Sequence, residues 1–114
     1  MTIAEKRQLE LVNFSKKYNI ELSEATRIIN SYYRLCGLSE RSVLASNDYD
    51  TYTKRRKYVE YLDNKCEKWI ERLRGYLSPY GLYLVYAGIY PTICILDEKG
   101  GNCIKETCYN PIFY

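Results

Sequence analysis

Histidine is missing from all 114 residues. Its absence removes the usual general base, the Ser-His and Cys-His nucleophile pairs, and the commonest zinc ligand. Without histidine, no tyrosine sits in the Arg and His constellation of a tyrosine recombinase. Cys-x-x-Cys pairs are missing too, so Cys66, Cys94, Cys103 and Cys108 lack metal-site spacing and read as small hydrophobes. Asp97 and Lys99 have the Asp-x-Lys spacing of some nuclease metal strands, but they lie in a Gly-Gly turn without the upstream acid. Gly100-Gly101 lies between two strand-like runs, not ahead of a helix, so a phosphate-cradling loop is not supported. The expectation is a protein that is not an enzyme, with no cofactor and no metal.

Long hydrophobic runs are also absent. The longest uncharged apolar stretch, Gly81–Tyr90, is far short of the ~20 residues of a spanning helix. The opening "MTIAEKRQLELV" has no apolar core after a basic start and does not read as a signal peptide. Five cysteines, an odd number, point to thiols in a reducing compartment. The expected location is the cytoplasm, with no membrane contact.

What is present is charge and tyrosine. Hydrophobic residues make up 46% and charged residues 27%, the balance of a globular chain, and the length fits one domain over 1–114. Net charge is only +3, but residues 1–78 carry 15 Lys and Arg against 11 Asp and Glu. Any anion-seeking surface belongs to that part. Tyrosine occurs 14 times against two phenylalanines.

The periodicity predicts an α+β fold with three helices, the third long, followed by a small three-stranded antiparallel sheet. The first helix covers about 3–18 and ends at Asn19. The second runs from about 24 to 36, capped by Ser23 and closed by Gly37. The third starts at Asn47 or Asp48 and cannot pass Pro79. Its seam is Val59, Leu62, Cys66, Trp69, Leu73 and Tyr76, and extending it backwards meets Arg55, so its first turns should stand in water. Strand-like runs at 82–87, 92–96 and 102–109 form a ribbon over 79–114, with a hairpin turn at 97–102. The helical part is 1–78. The seam and the ribbon edge together invite a symmetric homodimer.

Two segments carry binding chemistry. "TYTKRRKYVEY" (51–61) places four consecutive cations among tyrosines, a combination suited to acidic partners or to phosphates and stacked bases. A buried tyrosine must satisfy its hydroxyl, so fourteen cannot all enter so small a core, and the ribbon should keep a tyrosine-rich face for a partner. The expected partner-binding residues are Lys54, Arg55, Arg56, Lys57, Tyr58, Tyr61, Tyr83, Tyr86 and Tyr90. The second segment, "FSKKYNIELSEATRIIN" (14–30), has helix-turn-helix spacing. Its nucleic-acid-reading residues would be Thr26, Arg27, Asn30, Ser31 and Arg34, although Glu21 and Glu24 oppose phosphate there.

The run "WIERLRGYLSPYGLYLVYAGIYP" resembles the C-terminal part of small proteins encoded by phages and mobile elements of Gram-positive bacteria. It does so through Trp69, Arg72, Leu73, Tyr80-Gly81-Leu82 and Gly88-Ile89-Tyr90-Pro91. The resemblance covers about a fifth of the chain and implies an antagonist of host defence, a class that includes anti-CRISPR proteins. The leading expectation is a non-catalytic binding protein that inhibits a larger host protein or ribonucleoprotein, such as a Cas nuclease. The alternative is a helix-turn-helix-like DNA-binding transcriptional regulator.

Overall fold

Thr2 opens the first helix by accepting the Glu5 amide on its hydroxyl at 3.2 Å, satisfying one donor that a helix start leaves bare. A computed structural model of the chain describes the backbone of residues 2–86, 91–96 and 103–109, with side chains for 2–86 and 91–94. Helix α1 spans Ile3–Tyr18 and ends on Asn19, whose φ of 53° is left-handed. Asparagine tolerates that region better than other side chains. The Ser15 hydroxyl donates to the Ile20 carbonyl at 2.5 Å, which pins the turn into α2.

Helix α2 is Leu22–Asn47, twice the length its sequence implied. Two expectations are corrected here. Its cap position is Glu21 rather than Ser23, and the helix passes straight through Gly37. An interior glycine costs a helix about 1 kcal/mol. Beyond it, Leu38, Ser39, Ser42 and Ala45 are all buried, and each large apolar side chain removed from water contributes roughly 1.5–3 kcal/mol. Burial outweighs propensity.

The expected long third helix is two helices, which makes four in all among the described residues. Helix α3 is the short Tyr49–Lys54, capped by Asp48, whose carboxylate accepts the Asp50 amide at 3.2 Å and the Thr51 hydroxyl at 2.7 Å. Helix α4 is Arg56–Leu77. Between them Arg55 leaves helical geometry at φ −123°, ψ 45°. No residue of α3 is buried, although the short helix touches both α2 and α4.

Pro79 stops α4 as anticipated. One 3-10 turn, Ser78–Tyr80, follows, and then Gly81 at φ 70°. The strands β1 (Leu82–Val85), β2 (Thr92–Leu96) and β3 (Cys103–Tyr109) form a small antiparallel sheet in chain order. Leu82 pairs with Ile95 and Leu84 with Ile93, and the β2–β3 register shifts between Ile93 and Ile95. The expected hairpin turn at 97–102 and the connection at 87–90 lie outside the described residues.

The core lies where α2 packs along α4 and β1 covers the far end of α4. Phe14, Ile28, Tyr32 and Leu35 meet Leu62, Leu73 and Leu77, and Leu82, Leu84 and Ile93 close it from the sheet. Three of the tyrosines at this core have their hydroxyls satisfied by it. Tyr32 donates to the Pro91 carbonyl at 2.6 Å and Tyr33 to the Glu10 carboxylate at 2.8 Å. Tyr86 donates to Ser39 at 2.5 Å. Ser42 on α2 donates to Asp63 on α4. No helix among the described residues is long and apolar enough to cross a membrane.

Candidate binding surface

The break at Arg55 builds an elbow. The α3 arm leaves the core, and the turn presents Lys54, Arg55, Arg56 and Lys57 to solvent in succession. Lys54 is paired with Asp50 at 3.8 Å, an exposed contact that contributes little. The other three cations have no ion pair among the described residues. Arg55 rests over the Tyr58 ring at 4.6 Å and Arg56 over Tyr52 at 5.6 Å. These contacts hold each guanidinium on an aromatic face while its donors stay directed to water. The elbow also carries apolar surface that sequence spacing did not single out. Tyr49 is 79% exposed and Leu44, at the end of α2, 65%. Between α2 and the elbow a recess of about 250 Å³ is lined by Arg41, Leu44, Asp48, Arg55 and Tyr58.

The other expected partner-binding residues divide. Tyr61 is exposed on the next turn of α4. Tyr83 faces outward from β1 at 37% exposure, with the Arg74 guanidinium 4.8 Å from its ring. Tyr86 is half-buried and its hydroxyl donates to Ser39, so it ties the end of β1 to α2. Alternation explains the outcome, since Tyr86 shares the side of Leu82 and Leu84. Tyr90 lies outside the described residues.

The helix-turn-helix residues are also dispersed in role. Ser31 is 6% exposed and cannot touch a groove, which corrects its assignment. The Thr26 hydroxyl donates back to the Leu22 carbonyl at 2.7 Å. Arg27 pairs with Glu24 at 3.8 Å and lies over Tyr76 at 5.4 Å. Asn30 and Arg34 are exposed, and Arg34 rests over Trp69 at 5.0 Å. Phe14, Ile20, Ala25 and Ile28 are all buried, so their spacing serves the α1–α2 contact.

Cys36, Cys66 and Cys94 are buried thiols. No group of three or more His, Cys, Asp or Glu that could hold a metal comes together among the described residues. The side chains of Cys103 and Cys108 lie outside them. Burial pushes the Cys36 thiol up to about 11, opposed in part by its hydrogen bond with Tyr32, and burial raises Cys66 as well. Such thiols stay protonated and unreactive near neutral pH. The chain matches no family model, no curated protein and no solved structure.

Proposed function

We propose that this protein is a non-catalytic binding protein that inhibits a larger protein or ribonucleoprotein by docking its α3–α4 elbow on an acidic surface. The observation that carries the reading is the elbow itself. Arg55, Arg56 and Lys57 follow one another without a carboxylate partner among the described residues, on a turn whose α3 arm buries nothing. Like charges held this closely repel, and an anionic partner relieves that cost. Arginine and tyrosine on one protruding surface are also the side chains that most often anchor interfaces. The proposal extends to phage-encoded antagonists acting in a bacterial cytoplasm, anti-CRISPR proteins among them, as the resemblance read from residues 69–91 implies.

The test pairs the parent with a variant carrying Arg55→Glu, Arg56→Glu and Lys57→Glu, both immobilised in bacterial lysate. Solvated helix positions tolerate such changes, so the variant keeps its circular dichroism and unfolding midpoint. A protein or ribonucleoprotein captured by the parent is then purified and titrated, and the variant binds it at least tenfold more weakly. Equal affinity of a folded variant removes the elbow as the contact surface. Tight, salt-dependent binding of duplex DNA with no captured protein would favour the transcriptional-regulator reading, centred on Arg27, Asn30 and Arg34.

A further inference from the structure

A second surface lies between α2 and α4 and shares Arg41 with the recess at the elbow. It is a cleft of about 420 Å³, within the ~300–1,000 Å³ of small-ligand sites. Tyr33, Arg34 and Arg41 line it from α2, and Tyr61, Lys65 and Trp69 from α4. No carboxylate is among its lining residues. None of Arg34, Arg41 and Lys65 has an ion pair among the described residues.

The aromatic groups are arranged unequally. Trp69 carries the guanidiniums of Arg34 and Arg72, each 5.0 Å from its ring centroid, so it orients cations rather than offering a free face. The Arg41 guanidinium is held by its Nε donating to the Gly37 carbonyl at 3.3 Å. Tyr61 is different. It is 54% exposed, with the Lys65 ammonium 5.6 Å from its ring. The cleft thus brings together two guanidiniums, one ammonium and one exposed aromatic ring. Gly37, inside α2, is also among the residues that line it.

We propose that the α2–α4 cleft binds single-stranded nucleic acid, stacking one base on Tyr61 while Arg34, Arg41 and Lys65 hold the adjoining phosphates. Cations tracking a backbone beside an aromatic platform are how sequence-tolerant strand binders work. A duplex hides its base faces and cannot use Tyr61. An acidic peptide would engage the cations and leave the ring idle. The shared chemistry is base plus phosphodiester, so RNA and DNA strands are probed in parallel.

The experiment is fluorescence anisotropy with a labelled twelve-nucleotide single strand of either sugar, the matching duplex, and polyglutamate or AMP as competitors. At least one single strand binds, and about three neutralised phosphates weaken it about twentyfold between ~50 and ~200 mM salt. Tyr61→Ala lowers affinity about tenfold and Tyr61→Phe keeps it, because stacking needs the ring and not the hydroxyl. Arg41→Ala and Lys65→Ala each weaken binding and flatten the salt dependence. The pair Arg56→Glu with Lys57→Glu leaves strand binding largely intact, which keeps this site distinguishable from the elbow. Absence of single-strand binding overturns the proposal, whether or not AMP binds. So does duplex binding of equal strength, displacement by polyglutamate as effective as by unlabelled strand, or indifference to Tyr61→Ala.

Discussion

Tyr86 shows at the residue scale how tyrosine serves as a tether in this chain. Its ring lies against the core and its hydroxyl reaches Ser39, a fully buried serine on α2. Tyr86→Phe keeps the ring and removes one buried hydrogen bond, so it should lower stability by about 1 kcal/mol, read from urea unfolding. An unchanged midpoint would mean that the hydroxyl contributes nothing net. Burial also sets a pH limit. It raises Cys36 from the ordinary 9.0 to about 11, and it raises Tyr32, Cys66 and Tyr86 in the same direction. The protonated thiol or phenol is the form that the fold accepts. Above about pH 9 the unfolded chain therefore binds fewer protons than the folded one, and stability falls with rising pH. Below that it is fully present. One withheld proton is worth about 1.4 kcal/mol per pH unit, so the midpoint should fall between pH 9 and 11, and less steeply in Cys36→Val. A midpoint level across that range would contradict the assignment.

At the scale of elements, two glycines separate space from backbone conformation. Gly75 lies exposed within α4, and a Cβ there would meet nothing within 4 Å. Gly75→Ala should stabilise by about 0.5–1 kcal/mol through helix propensity and a less free unfolded chain. Gly81 has equal space but a φ of 70°, so Gly81→Ala should destabilise by about 1 kcal/mol. Thermal unfolding of the two variants should move in opposite directions. Where local chemistry decides structure, the sequence was readable. Asn19 and Pro79 ended their helices where expected, and Arg55 marked the departure of the chain from the core. Leu82 and Leu84 turned inward as their alternation required. Where tertiary burial decides, it was not readable. Gly37 looked like a stop, and only the seating of Leu38 and Ala45 carries α2 past it. The cleft was hidden for the same reason: Arg41 and Lys65 become neighbours only once the extended α2 lies along α4. The break at Arg55 fell within an unbroken run of helix-compatible residues, so the local sequence did not announce it.

The whole molecule is flattened, with extents of 47 × 40 × 23 Å and a radius of gyration of 15.5 Å. A fully compact chain near this length would have about 13 Å. The extra extent comes with helices whose exposed arms leave the core, and it raises the question of self-association. The seam that invited a dimer is filled within one chain. Val59, Leu62, Cys66, Leu73 and Leu77 are buried against α2 and β1, so no free stripe remains for a second copy. The β1 edge of the sheet offers only four residues, while the seven residues of β3 form its other edge. Among the described residues, large apolar side chains are exposed at Ile3, Leu9, Leu22, Tyr61 and Tyr83, and at Leu44, Tyr49 and Tyr52 on the elbow, where Arg55 and Arg56 stand among them. A symmetric dimer sets a patch against its own copy, so a dimer through the elbow would bring these cations face to face. A stable interface also needs roughly 800 Å² from each partner, more than a few scattered side chains supply. Light scattering at micromolar concentration and low salt should therefore give the mass of one chain. Salt near 1 M shortens electrostatic reach to about 3 Å and would relieve that repulsion. A dimer found only at high salt would locate self-contact at the elbow, whereas a dimer at low salt would show that the charged face does not keep copies apart.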